Sequence, residues 1–173
     1  ASRRSPWPRS PSVHCLCLAL KSDMSDQWWQ SSKDDNWWTP LEVFEGLDKE
    51  FHFTLDAAAS SKNALCDRYF NKRENGLRQS WAGETVWLNP PYGRDLGKWV
   101  AKALTESRGG ATVVLLIPAR VDTTYWHDYI FPNAEIRFLK GRLRFEGPNV
   151  GGSAPFPTAI VIFHGRKRLR KAA

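Results

Sequence analysis

Methionine occurs once in this sequence, cysteine three times, and no apolar run approaches the ~20 residues that span a bilayer. Each scarcity excludes something. Cys15, Cys17 and Cys66 are too few for a disulfide framework. C-L-C is not zinc-ligand spacing, no second Cys or His pair completes it, and His52, His127 and His164 form no ligand cluster, so no metal is expected. The chain reads as a reducing, cytoplasmic type with no membrane partner. The lone methionine, Met24, is the expected start of native translation. Residues 1–23 are rich in Ser, Pro and Arg, have no A-x-A-like cleavage site, and read as a disordered, non-native extension.

The charge is also unevenly spread. The chain of 173 residues carries +7, of which residues 1–23 hold +3 and the run R-K-R-L-R-K at 166–171 holds +5. Residues 24–165 are close to neutral and form the expected single domain, followed by a basic tail at 166–173. Such a run is either a solvated tail or a phosphate contact, and Arg166, Lys167 and Arg168 are the residues that would make that contact.

From Met24 onward, strand-like and helix-like segments alternate. Pro40 suits the first turn of a helix, PLEVFEGLDKE. FHFTLD reads as a strand, AAASSKNAL as a turn and short helix, DRYF as a second short strand, and ETVWL as a strand ended by Asn-Pro-Pro. DLGKWVAKALTES places Leu96, Trp99, Val100, Ala103 and Leu104 on one helical face and stops at Gly109-Gly110. ATVVLLIP is a strand buried on both faces. TTYWHDYIF is a short helix, AEIRFL and TAIVIFHG are strands, and the Gly/Pro-rich excursion KGRLRFEGPNVGGSAPFP lies between those two strands. This alternation predicts an α/β fold with a mostly parallel sheet and helices on both faces.

The stretch LNPPYG, residues 88–93, concentrates the chemistry. Open α/β sheets bind ligands beyond the carboxyl ends of their strands. Asp56 and Asn89 each end a predicted strand, and as neighbours their ends would lie about 5 Å apart. Pro90 and Pro91 stiffen the backbone, and proline offers no competing N–H. The Asn89 side-chain oxygen and the Pro90 carbonyl then form two adjacent acceptors, which suit a planar NH2 group. Tyr92 offers a ring face for a flat heterocycle. The arrangement fits the exocyclic amine of a nucleobase: accepting both hydrogens favours tetrahedral nitrogen and exposes its lone pair.

NPPY resembles the catalytic motif of S-adenosylmethionine-dependent amino methyltransferases. The ordered set WWTPLEVFEGLDKEFHFTLDAAAS, VWLNPPYG, VVLLIPARVDTTYWH, IRFLKGRLRFEG and APFPTAIVIF resembles the phage-type DNA N6-adenine methyltransferase (Dam) family over nearly all of residues 36–164. The resemblance implies a Rossmann-like methyltransferase fold, S-adenosylmethionine as cofactor, and adenine N6 in double-stranded DNA as target, within a phage or prophage setting. It implies a catalytic set of Asn89, Pro90, Pro91 and Tyr92, with Tyr92 stacked on the flipped base. It also implies cofactor contacts from Asp56, Ala57 and Ala58 and from Trp38, Thr39 and Pro40. Read from the residues alone, W-W-T-P equally suits a helix cap with aromatic packing, and Asp56 a cap on the helix expected after it.

The sequence departs from the family's pattern in two places. DAAASSKN stands where a glycine-rich turn is usual, and Asn75-Gly76-Leu77 stands in the region of a D-G-L segment. Only 32 residues separate Asp56 from Asn89, so the adenosine-binding half of the sheet is expected to be reduced. Asn75 retains the capacity to bond an adenine edge. Arg120, Arg142 and Arg144 are the candidate DNA contacts beyond the tail. Two alternatives are an amino methyltransferase acting on cytosine N4, RNA or a protein amide, and a non-catalytic DNA-binding protein on the same fold.

Overall fold

The computed structural model describes residues 37–147 and 153–165. Residues 1–23, Met24 and the tail residues Arg166, Lys167 and Arg168 lie outside the described residues. Helix α1 (Leu41–Phe51) starts after Pro40, whose φ of −61° and extended ψ suit a helix entry. It ends at His52, which turns left-handed and returns its N–H to the Asp48 carbonyl at 2.8 Å. The Asp48 carboxylate accepts the next free amide, Phe53 N–H, at 2.7 Å. Helix α2 (Leu96–Arg108) buries Leu96, Trp99, Val100, Ala103 and Leu104, the stripe its periodicity predicts.

Five strands form one sheet: β1 (Leu55–Asp56), β2 (Thr85–Leu88), β3 (Thr112–Pro118), β4 (Glu135–Phe138) and β5 (Thr158–Phe163), in the order β1-β2-β3-β5-β4. β1–β2 and β2–β3 pair parallel, whereas β3–β5 and β5–β4 pair antiparallel. The sheet is therefore mixed, which corrects the expectation of a mostly parallel one. The connection explains the reversal. No described helix lies between β4 and β5, and a parallel neighbour would require a crossover. The 139–157 excursion instead leaves the carboxyl end of β4 and re-enters at the amino end of β5, on the same edge of the sheet.

Residues 113–118 of β3 are all buried, so both faces of the sheet are covered there. α1 packs over the face that carries Trp87, its Phe44 ring meeting Trp87 edge-on at 5.6 Å. Glu50 of α1 also reaches Arg137 of β4, through two hydrogen bonds.

Two local expectations fail. FHFTLD yields strand only at Leu55–Asp56, and AAASSKNAL forms turns rather than a helix. There, Asn63 Oδ1 accepts from Ser60 N and Ser60 Oγ, so short polar side chains capture the backbone in a turn. DRYF contributes one parallel bridge, Tyr69 to Asp56, on the open edge of β1. The chain then brings Gly76 against β1. A Cβ at Gly76 would lie 2.1 Å from the Ala57 carbonyl and 3.2 Å from Trp99.

Gly76→Ala should therefore lower stability by about 2–3 kcal/mol, since a backbone atom must move. Gly46 lies inside α1 with nothing within 4 Å of the added methyl, and Gly46→Ala should raise stability by up to about 1 kcal/mol. Chemical denaturation of the two variants checks both signs.

Candidate active site

Asn89 stands immediately after β2, beside the β1 end. Asp56 is in register with Trp87, and Ala57 N–H donates to the Trp87 carbonyl at 3.0 Å, so Asn89 lies just beyond the β1–β2 ladder. Its side-chain amide is held from the segment before α1. Asn89 Nδ2 donates to the Trp37 carbonyl and, at 2.9 Å, to Thr39 Oγ1. A carbonyl can only accept, so the group facing Trp37 must be the NH2. That fixes the direction of the other half of the amide. Asn89 Oδ1 is buried and has no hydrogen-bond partner among the described residues. An orphaned buried acceptor costs free energy, which makes it an uncommon feature to keep without a ligand. The Pro90 carbonyl beside it accepts no backbone hydrogen bond among the described residues either.

The W-W-T-P segment does more than cap a helix. Trp38 N–H donates to the Glu146 carbonyl at 3.0 Å, and Glu146 N–H donates back at 2.9 Å. This two-bond bridge ties the segment to the 139–157 excursion. Thr39 is buried, with 7% of its surface exposed. Sequence reasoning missed Trp37, and it missed Thr39 as a partner of Asn89, because these bonds join residues remote in sequence.

Tyr92 differs from expectation. Its ring is buried between Phe145 and Phe156, edge-to-face with both at 5.9 and 5.6 Å. Its hydroxyl donates to the Leu116 carbonyl at 3.1 Å. Burial holds that hydroxyl protonated, well above its ordinary range. The ring is thus not an open platform as it stands; stacking on a base would require Phe145 or Phe156 to move. Trp37 also meets both phenylalanines edge-on at 5.3 Å, which completes an aromatic cluster next to Asn89.

Asp56 is buried at the end of β1. Its carboxylate accepts from the amides of Ala58 and Leu65, both at 3.3 Å, so it holds the adjoining turn. Desolvation pushes its pKa up to about 6, against the pull of those two amides. No Lys or Arg among the described residues forms an ion pair with it. Ala57 is buried and Ala58 half-buried beside it. Asn75 turns left-handed at φ 56°, and its Oδ1 accepts Leu77 N–H at 3.2 Å. One lone pair of that oxygen is taken by the cap, and the amide NH2 donates to no protein group among the described residues. Pro91 is exposed at the break. Arg120, Arg142 and Arg144 are exposed, come after strand ends at this side of the sheet, and form no ion pair among the described residues. No group of three metal-ligating side chains is found among the described residues, nor a helix long and apolar enough to cross a membrane.

Fold and site together define an α/β protein whose β2 ends at an asparagine with a buried side-chain oxygen left without a partner among the described residues. The comparisons with known proteins are specific. The family model described as DNA N-6-adenine-methyltransferase (Dam) matches residues 30–164, and the chain belongs to that family. The DNA N-6-adenine-methyltransferase of Escherichia phage T1 is 34% identical over 112 residues, covering 63% of this chain. The aligned part spans 46% of that relative's length.

Thr39→Val keeps the shape but removes one acceptor from the Asn89 amide. It should cost about 1–3 kcal/mol, the range for leaving a buried donor unsatisfied. Thr39→Ser should retain most of the parent's stability in the same denaturation experiment.

Proposed function

We propose that this protein transfers a methyl group from S-adenosylmethionine to the N6 amine of an adenine flipped out of double-stranded DNA, on a Rossmann-like methyltransferase domain within residues 24–165. The observation that carries this reading is the buried Asn89 Oδ1, which has no partner among the described residues and whose direction is set by Trp37 and Thr39. Family membership supports the same chemistry.

The amine of adenine presents two hydrogens. Asn89 Oδ1 would accept one and the Pro90 carbonyl the other. Two acceptors draw the hydrogens out of the ring plane and free the nitrogen lone pair, so no strong base is required before attack. One proton then leaves the nitrogen to solvent. The aromatic cluster of Trp37, Tyr92, Phe145 and Phe156 would supply stacking faces once it opens to admit the base. Pro91 keeps the loop between Asn89 and Tyr92 stiff.

S-adenosylmethionine supplies an electrophilic methyl group on a positively charged sulfur. The residues at the end of β1 fit such a cationic group. Asp56 is a buried carboxylate with long hydrogen bonds and no ion-pair partner among the described residues. Asp56, Ala57 and Ala58 would hold the methionine portion, Trp38, Thr39 and Pro40 would lie over it, and Asn75 would offer its NH2 to the adenine edge.

Methyl transfer from labelled S-adenosylmethionine to unmethylated DNA, followed by nucleoside digestion, tests the reading. Label is expected in N6-methyladenine with the parent chain and not with Asn89→Ala. Label in N4-methylcytosine would replace the proposed base, and near-parent activity in Asn89→Ala would sink the proposed role of that residue.

Asp56 adds a pH dependence. Its folded pKa is about 6, raised from 3.8, so its contribution to stability is full below about pH 4 and is lost as pH rises through 6. The ionised form should cost the ligand-free protein about 3 kcal/mol at pH 7, and Asp56→Asn should recover much of it in thermal unfolding. A cationic ligand favours the ionised form. Calorimetric affinity for S-adenosylmethionine should therefore rise about tenfold between pH 5 and 7 and then level off, while Asp56→Asn should bind weakly with a flat profile.

A further inference from the structure

A cavity lies on the opposite side of β2 from Asp56. Its volume is about 430 Å³, and it opens between the start of α2 and the loop after β3. Gly93 and Arg94, directly after Asn-Pro-Pro-Tyr, form one wall with Lys98 of α2. Arg120, Tyr125 and Tyr129 form the other. Gly97 lies against the Tyr125 ring: a Cβ there would sit in ordinary van der Waals contact, 3.6 Å from Tyr125 Cδ1.

The charge of this cleft is one-sided. Lys98 pairs with Asp95 at 2.7 Å, an exposed bridge of small energetic weight. Arg94 and Arg120 are exposed and form no ion pair among the described residues. The Tyr125 hydroxyl is buried in the wall of the cavity next to Thr123 and Trp126, and makes no hydrogen bond of good geometry among the described residues. Two guanidinium groups without ion-pair partners among the described residues, with a phenol donor, make a site for an anion with several acceptor oxygens.

The topology says which anion. β1 and β3 flank β2 on opposite sides, so a ligand at Asp56 leaves the β3 side of Asn89 open. Flipping a base rotates its nucleotide about the backbone, and the adjoining phosphates must be held while it turns. We propose that this cleft grips the DNA phosphodiester next to the extruded adenine, with Arg94 and Arg120 as its charged contacts and Tyr125 as a neutral donor. The inference rests on the methyltransfer reading above and adds a location and residues to it. Arg142 and Arg144 are not part of the cleft lining.

The test measures binding of a short mixed-sequence DNA duplex over a series of salt concentrations. The variants are Arg94→Gln, Arg120→Gln, the double variant, and Arg108→Gln, which removes one charge at the far end of α2. Removing one phosphate-binding charge should lower the slope of log affinity against log salt by about 0.9. The double variant should therefore lose nearly twice that slope, while Arg108→Gln stays at the parent value and calorimetric affinity for S-adenosylmethionine is unchanged in all. A double variant with the slope of Arg108→Gln overturns the proposal. So does loss of S-adenosylmethionine affinity with the DNA slope intact, which would assign the cleft to the cofactor. Absence of methyl transfer by the parent chain would defeat the functional reading, and the slopes would still decide the cleft.

Discussion

Asn89 commits both of its amide hydrogens inside the protein. In water the two ends of an asparagine amide are nearly equivalent, and either can turn toward a ligand. Here the Trp37 carbonyl removes that freedom, because it can accept and cannot donate. Thr39 Oγ1 takes the second hydrogen. The oxygen is left buried, with no partner among the described residues. Much of the surrounding architecture keeps those two acceptors in place. Pro40 starts α1 one residue later, the Trp38–Glu146 bridge anchors the segment from the other side, and Phe145 and Phe156 wedge the Trp37 ring. The site is therefore a property of three remote segments meeting, and Asn-Pro-Pro-Tyr supplies only the centre.

The reversed strand β5 is what allows that meeting. A parallel β5 would have to begin at the opposite end of the sheet, and the chain leaving β4 would have to cross the fold to reach it. Reversal lets both limbs of the 139–157 excursion stand at the carboxyl end of β2 and β3, so Phe145 arrives from one limb and Phe156 from the other. Pro118, the last residue of β3, is in register with Thr158, the first of β5. That pairing sets how far Phe156 stands from Tyr92. The mixed sheet is thus part of how the aromatic cluster closes around the asparagine.

What could be read in the sequence depends on how local each cause is. The stripe of α2 and the apolar run of β3 express burial of a single element against its neighbours, so their period is enough. β2 and its abrupt end were legible for the same reason. β1 is shorter than its alternating pattern suggests because Phe51 ends α1, His52 caps it in a left-handed turn, and Phe53 N–H is taken by the Asp48 carboxylate. The helix expected after it lost to Ser60, Asn63 and Asp56, whose side chains take backbone amides that a helix would need. Tyr92 looked like an open ring because its covering residues lie far along the chain. The Gly/Pro-rich composition around them reads as loop, which says nothing about where a phenylalanine inside it will point.

The two sides of β2 are electrostatically different, and the difference matches the two reactants of the proposed reaction. On the β1 side a carboxylate is buried against its preference, with two weak amide contacts and a pKa near neutral. A cation entering there offsets the desolvation that raised the pKa, so the protein becomes more stable as it binds. On the β3 side two arginines stand without ion-pair partners among the described residues beside a cavity. A polyanion is drawn to that side and repelled from Asp56; a cationic cofactor experiences the reverse. In the proposed reaction Asn89, neutral itself, would stand between the two, where the amine of one reactant would face the methyl group of the other. Its amide, pinned by its own hydrogens, would then accept from the amine without adding charge to either side.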